Sequence, residues 1–390
     1  MISRADVEKL RSMRAPGPVV LSLYLPVPLD PAEVRGLAAE AGDLMAGVGA
    51  SDGDGASDGD GASDVAGAST AGVSDADRQA VLDALAAHGR DWLGHTVAFF
   101  ACAQLGLFES LPLPCLLPER AVLATRAHVR PLLAALQRCP DYRVAIADRR
   151  HGWVLSVSGN QVETVASQSD EGLRSHGFGG WYGLEAHRVQ QRIIQLNRHH
   201  YRDTAAILTR GAAASRHLPL VIGGHHESIA SLLQALPPAV RADFAGSFTA
   251  DADTLTPARV RELAAPVIEG WVARRERELA WEILSQAPTR LAAIGLPACL
   301  AAVNQGAVTH LLVAHEGMIP GFACGRCGAL STASGECPDS DTAALAVPDL
   351  LEEMVQRTLD DDGEVTVIRD APFSIAAKLR FPVTTEAGGR

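Results

Sequence analysis

The sequence predicts an α/β protein of three domains. An α+β domain is expected over residues 1–138, a middle α/β domain over 139–286, and a small α/β sandwich over 287–390. Three observations carry this expectation. A chain of 390 residues with 47% hydrophobic content holds enough material for two or three cores of ordinary size. Apolar runs rich in β-branched and aromatic residues alternate with helix-like patterns. The pattern changes character near Tyr142 and again near Pro288.

In the first domain, "GPVVLSLYLPV" reads as a strand bounded by prolines, and Pro31 to about Ala46 as a helix. The tract "GASDGDGASDGDGASDVAGAST" repeats an SDGDGA unit and has almost nothing to bury, so an insert at about 47–74 is expected to be disordered. It lacks the closing Glu of an EF-hand loop, so calcium is not expected there. A helix resumes from Asp75 to about Asp91, followed by strands in "TVAFFACAQ" and "LFESLPLP" and a helix in "RAHVRPLLAALQRC". Glu109, Pro112 and Pro114 break the most apolar stretch, which is therefore expected to form buried strands and not a membrane span. With no apolar leader at the start, the expected location is cytoplasmic.

From Tyr142, "YRVAIADRR", "GWVLSVSG" and "QVETVASQ" form three strand-like runs separated by turn residues, an antiparallel meander. A glycine-rich loop follows, then a long helix from about Leu184 to Gly211. "LPLVIGG" is a buried strand, "HHESIASLLQAL" a helix, "RADFAGSFTAD" a strand, and Pro257 to Ser285 a long charged helix. This order resembles a ribonuclease-H-like sheet. In the last domain, "TRLAAIGLPACLAAVNQG" reads as a helix, "VTHLLVAH" as a strand and "FACGRCGALSTASGECPDSD" as a cysteine-bearing loop. A helix in "VPDLLEEMVQRTLDDDG" and strands in "EVTVIRD" and "SIAAKLRF" complete the sandwich.

The net charge of −12 argues against a generally basic nucleic-acid binder. One segment departs from it. Between residues 174 and 210 stand six arginines (174, 188, 192, 198, 202, 210) against Glu185 and Asp203. Arg188 and Arg192 are four apart, as are Arg198 and Arg202, which places each pair on one helix face. The preceding loop, "SHGFGGWYGLEAHRVQQRI", sets Trp181 and Tyr182 among Gly177, Gly179, Gly180 and Gly183. The residues before it are polar, so the buried strand that a dinucleotide loop requires is missing. Exposed aromatics beside a basic helix suit base stacking and phosphate contact, with Arg174, Trp181, Tyr182, Arg188, Arg192, Arg198 and Arg202 as the candidate RNA-binding residues. A solvated surface loop and helix is the plainer alternative.

Seven cysteines, an odd number, point to a reducing compartment and not to a disulfide framework. Cys324, Cys327 and Cys337 have the spacing of a zinc knuckle within 324–337, with the fourth ligand open among Asp339, Asp341, His310 and His315. A metal-free knuckle is the alternative. "VIGGHHES" stands at a strand-to-helix turn, where glycine is expected for structural reasons. No G-x-S-x-G, Walker A or H-E-x-x-H motif is present.

In order and spacing, these pieces resemble the class-I release factor and Pelota superfamily of eukaryotic and archaeal type, specifically its bacterial members. The resemblance is carried by "YRVAIADRRHGWVLSVSG", the glycine loop with its arginine helix, "LPLVIGGHHESIASLLQALPPAVRADFAGSFTAD", "VTHLLVAHEGMIPGFACGRCG" and "GEVTVIRDAPFSIAAKLRF". It implies a C-terminal domain similar to an RNA-binding ribosomal-protein fold. It also implies a ribosome-associated translation factor whose partners are rRNA, the tRNA acceptor end and, as a candidate, a translational GTPase. The family's tip is Gly-Gly-Gln. Here Gly179 and Gly180 match the glycines, and Trp181 stands where the Gln would be. The Asn-Ile-Lys-Ser loop that reads stop codons is absent. The expectation is therefore non-catalytic occupancy of the A site, or hibernation. The alternative is a codon-independent rescue or release factor that hydrolyses peptidyl-tRNA. A third reading, an RNA nuclease or nucleotide-binding enzyme, has Asp148 as a candidate carboxylate but no evident partners for a metal pair.

Overall fold

A computed structural model describes residues 2–15, 17, 19–48, 72–148, 151–159, 161–169, 201–210, 218–337, 340, 342–369 and 372–383. The chain divides into two compact units, Met1–Arg138 with Glu276–Arg390, and Cys139–Arg275.

The first unit opens with α1 (Arg4–Ser12), which the sequence reading missed; a Ser3–Asp6 capping box starts it. Next come β1 (Val20–Pro26), α2 (Leu37–Gly47), α3 (Asp75–His88), β2 (Thr96–Cys102), β3 (Leu107–Leu113), β4 (Arg120–Ala124) and α4 (Arg130–Arg138). The strands form an antiparallel sheet in the order β3-β2-β1-β4. Both faces are covered, which explains why β1 and β2 read as continuous apolar runs. Leu21, Leu23 and Leu25 pack toward α2 and α3. Val20 and Tyr24 pack toward α1 and α4. β4 was not expected; its sequence, "RAVLA", is short and only partly buried. Residues 49–71 of the expected insert lie outside the described residues.

The second unit contains β5 (Tyr142–Ala147), β6 (His151–Ser158) and β7 (Gln161–Ser169), then the helical residues 201–210, named α5. β8 (Leu220–Gly224), α6 (His226–Ala235), α7 (Pro238–Ala242), β9 (Phe244–Thr249) and the start of α8 (Pro257–Gln286) follow. The sheet order is β7-β6-β5-β8-β9. The meander is antiparallel, while β5, β8 and β9 run parallel, as expected for the ribonuclease-H-like layout. Alternate residues of β5 face opposite ways. Val144 and Ile146 pack with Val260, Ala264 and Ile268 of α8. Ala145 and Ala147 pack with α5 and α6.

The two glycines of "VIGGHHES" are explained by packing. A Cβ on Gly223 would stand 2.4 Å from the Phe248 ring. Gly224 has φ +144°, and its Cβ would lie 2.2 Å from the Ala147 carbonyl oxygen. Side-chain crowding at Gly223 and backbone crowding at Gly224 thus account for this pair without a bound phosphate.

The chain re-enters the first unit along α8, then forms β10 (Ala292–Ile294), α9 (Leu296–Asn304), β11 (Val308–Ala314), β12 (Gly321–Cys324), β13 (Leu330–Ser331), β14 (Ala344–Val347), α10 (Leu350–Asp360), β15 (Glu364–Ile368) and β16 (Ile375–Leu379). Two expectations are corrected here. The run read as one helix from Thr289 is a short strand followed by α9, because Gly295, at φ +83°, breaks the path before Pro297 opens the helix. The cysteine-bearing "loop" is built on a three-stranded sheet, β13-β12-β14. The main sheet is β10-β16-β11-β15. Leu311 and Val313 pack toward α9 and α10, whereas Leu312 meets Ala280 and Ile283 of α8. This is the expected three-layer sandwich.

A buried polar network joins the N- and C-terminal parts of this unit. Arg130 donates to Asp349 Oδ2 at 2.6 Å, to the Ala314 carbonyl at 2.8 Å and to the Gly317 carbonyl at 2.7 Å. His128 Nε2 donates to Asp349 Oδ2 at 3.0 Å. Asp349 also caps α10 through the Leu351 amide. Glu352 accepts from the amides of Val129 and Arg130 at 2.8 and 2.9 Å, so a carboxylate of α10 caps the N-terminus of α4. Gln356 donates to Glu352 and to the Ala127 carbonyl. Ser22 and Tyr24 close the network on β1 through the His128 amide and carbonyl. At the far end of α10, Asp360 pairs with Arg11 and Arg126 at 2.7 and 2.8 Å. The side-chain amide of Gln137 donates to the Val365 carbonyl and accepts from the Val367 amide, at 2.7 and 2.8 Å.

Burial alone would raise the Asp349 carboxyl. The hydrogen bond from His128 and the charge of Arg130 outweigh it and hold the group below its ordinary range. Its stabilisation is therefore complete above the unfolded value, near pH 4, and is lost as pH falls through the depressed native value. Arg130→Met is expected to destabilise the first unit by about 3–5 kcal/mol in urea unfolding, and Arg130→Met with Asp349→Leu by less than the two single changes summed. The acid sensitivity of unfolding below about pH 4 is expected to be weaker in Arg130→Met than in the parent. In the second unit, Gly224→Ala is expected to cost about 1–3 kcal/mol, whereas Gly270→Ala, in the open middle of α8, stabilises by up to about 1 kcal/mol.

Candidate functional site

The tip candidates Gly179, Gly180 and Trp181, and the candidate RNA contacts Arg174, Tyr182, Arg188, Arg192 and Arg198, lie outside the described residues. Arg202 is described, and it stands on α5. The helix is amphipathic with a clear division. Tyr201, Thr204, Ala205 and Leu208 are buried, and Arg202, Ala206 and Arg210 are exposed. The buried face is held by polar contacts as well as packing. The Tyr201 hydroxyl donates to Ser228 Oγ of α6 at 3.0 Å. Arg143, on β5 and almost fully buried, donates to the Leu208 carbonyl of α5 at 3.3 Å. Burial lowers the pKa of Arg143, and Asp243, 3.8 Å away, works in the opposite sense. Tyr201, Ala205 and Leu208 pack into the core beneath α5, and Arg202 and Arg210 are turned to solvent.

Among the described residues, Asp148 is not grouped with other metal-ligating side chains, and neither are His225 and His226. A cavity of about 780 Å³ in the first unit is lined by Glu40, Asp43, Glu119, Met318 and Pro348 among others, with no basic residue. Burial, then a hydrogen bond to Glu119, pushes the Glu40 carboxyl up. Three carboxylates give this cavity the wrong sign for phosphate. The sequence offered no hint of it, since Glu40 and Glu119 are far apart in the chain.

The cysteines expected to form a knuckle do converge. The sulfurs of Cys324, Cys327 and Cys337 lie within 4.8 Å of one another, with Cys327 and Cys337 at 3.3 Å. Cys324 ends β12, and Gly328, at φ +72°, turns the chain so that the Gly328 amide reaches the Cys324 carbonyl at 2.9 Å. The Cys327 amide, the Ser340 hydroxyl and the Arg326 amide favour the Cys324 thiolate and draw its pKa down to about 6. The Ala329 amide favours the Cys327 thiolate too, but contacts with Cys337 and Cys324 outweigh it and the Cys327 pKa is pushed up. Of the candidate fourth ligands, Asp339 and Asp341 lie outside the described residues. His310 is engaged elsewhere, on Thr366 Oγ1 at 2.8 Å, and neither it nor His315 joins the group.

Comparison with known proteins bears on the middle of the chain. Residues 128–269 match the model of "Bacterial archaeo-eukaryotic release factor family 10". No curated protein matches the chain. Among solved structures, an archaeal translation termination factor, aRF1, shares 15% identity over 97% of this chain and 99% of its own, with a TM-score of 0.25. A ribosome-bound archaeal Pelota, described together with ABCE1, shares 17% over 75% of this chain and 79% of its own, at 0.39. Dom34 of S. cerevisiae, a translation termination-like factor interacting with Hbs1, shares 11% over 76% and 82%, at 0.40. At these scores the structural likeness adds nothing to the family match. That match spans the glycine-rich and arginine-bearing segment and the sheet that carries α5, and over this part of the chain it bears out the resemblance to bacterial release factors of archaeo-eukaryotic type.

Proposed function

We propose that the chain is a ribosome-associated factor of release-factor type. It binds near the A site, with the loop at 177–183 directed at the acceptor end of peptidyl-tRNA, and occupies the site without cleaving the ester. The observation that carries this reading is the family match over 128–269, which spans a Gly-Gly pair followed by Trp181 where the superfamily's tip has Gln. An indole has no carbonyl and donates a single N–H, so it cannot orient a water as an amide side chain does. The exposed Arg202 and Arg210 support the phosphate contacts, because the buried face of α5 leaves these cations to solvent. Arg198, Arg192 and Arg188 continue the series upstream in the sequence. A translational GTPase is the proposed delivery partner, and the cytoplasm the proposed location. No described helix is long and apolar enough to cross a membrane.

The test uses purified full-length chain and ribosomes carrying labelled peptidyl-tRNA, with and without an A-site codon. Co-sedimentation without peptide release is expected. Release by the parent protein overturns the occupancy reading in favour of codon-independent rescue. Failure to co-sediment even at low salt overturns the ribosomal reading as a whole. Arg188→Glu with Arg192→Glu is expected to weaken binding and to reduce the slope of log K against log salt by roughly 2. Trp181→Gln is expected to raise peptide release above that of the parent without changing co-sedimentation.

A further inference from the structure

The geometry points to a structural metal centre in the C-terminal part of the first unit: Cys324, Cys327 and Cys337 together hold one Zn²⁺ through three thiolates, with an oxygen donor at the fourth corner. This inference is independent of the ribosomal reading. Tetrahedral zinc with Zn–S bonds near 2.3 Å places its sulfurs about 3.8 Å apart. The three sulfurs here lie within 4.8 Å of one another, with the shortest pair at 3.3 Å, so shifts of well under about 1 Å per side chain bring all three to one ion. The donor set is soft, which favours zinc over magnesium or calcium.

Two further features fit a metal and not a disulfide. A disulfide between Cys327 and Cys337 would use two sulfurs and leave Cys324 unexplained. Yet Cys324 is buried, and its sulfur lies within 4.8 Å of both the others. The Ser340 hydroxyl, 3.1 Å from Cys324 Sγ, also places an oxygen beside the cluster. The frame is rigid around it. Asn304 donates to the Leu330 carbonyl at 2.8 Å and accepts from the Leu330 amide at 2.9 Å, fastening β13 to the end of α9. Arg357 of α10 donates to the Cys327 carbonyl at 3.2 Å. Three strands of two to four residues bury little on their own, so an ion joining the β12 turn to the Cys337 segment supplies a cross-link that the small sheet lacks.

The experiment is metal analysis of the full-length chain purified under reducing conditions. About one zinc per chain is expected, with occupancy at least about tenfold lower in Cys327→Ser and Cys337→Ser. Zinc content equal in parent and variants overturns the proposal, as does a Cys327–Cys337 disulfide in the unreduced protein by mass spectrometry. Because a cysteine variant can fail to fold for other reasons, the parent chain is also stripped by a chelator and titrated with Co²⁺. Sulfur-to-cobalt charge-transfer absorption saturating at about one equivalent is expected, and its absence overturns the site. Chelation should also lower the melting temperature of the parent but leave that of Cys327→Ser unchanged.

Discussion

One buried carboxylate, Asp349, organises the first unit. It accepts from Arg130 and His128 on the N-terminal side of the interface while capping its own helix, α10. All three side chains are almost completely removed from water. Charges so placed are tolerated only when every one is paired, because an isolated ion in this environment would cost several kcal/mol. The requirement is mutual. Arg130 needs the carbonyls of Ala314 and Gly317 as well as the carboxylate, so the turn after β11 must close on it. Glu352 needs the free amides at the start of α4, and α4 needs a cap. Parts of the chain more than 200 residues apart are thus joined by groups that have no acceptable alternative partner, a stronger constraint on register than apolar packing provides. Everything between Arg138 and Glu276 then belongs to a separate compact unit with its own sheet and two cores.

Within that second unit the same logic appears once more, on a smaller scale and nearer to function. Arg143 is buried beneath α5 and donates a hydrogen bond to its Leu208 carbonyl. Together with the apolar packing of Tyr201, Ala205 and Leu208, it lies on the inner side of α5, opposite the exposed Arg202 and Arg210. The chain is acidic overall, so contact with a polyanion has to be local, and a helix with one buried and one exposed side is a way to make it local.

Much of this was legible in the sequence, and the limits are physical. Strands covered on both faces, such as β1, β2, β5 and β8, announce themselves as short apolar runs between turn residues. The long helices α8 and α10 show in their length and spacing. β4 and β10 were missed because they are five and three residues long and gain their strand character from neighbours that are distant in sequence. The Thr289 run was misread because helix-forming alanines and leucines lie on both sides of Gly295. The convergence of Cys337 on Cys324 and Cys327 was readable from spacing alone, but the sheet beneath them was not. The Asp349 network was invisible. In "VPDLLEEM" an Asp followed by Glu in the first turn reads as ordinary capping, and nothing in the sequence says that their partners are His128, Val129 and Arg130. At the candidate RNA surface, of the two four-spaced arginine pairs only Arg202 lies among the described residues, where it is exposed on α5.

Gln137 has a further consequence. β15 is an outer strand of the C-terminal sheet, paired on one side only with β11. Its other side presents backbone donors and acceptors that could recruit a strand from another molecule. The primary amide of Gln137 bonds the Val365 carbonyl and the Val367 amide, the pattern that one residue of an added parallel strand would make. A single side chain thereby stands in for a neighbour at the middle of that edge. For a protein present beside many copies of itself, keeping this edge occupied guards solubility as much as it guards the fold.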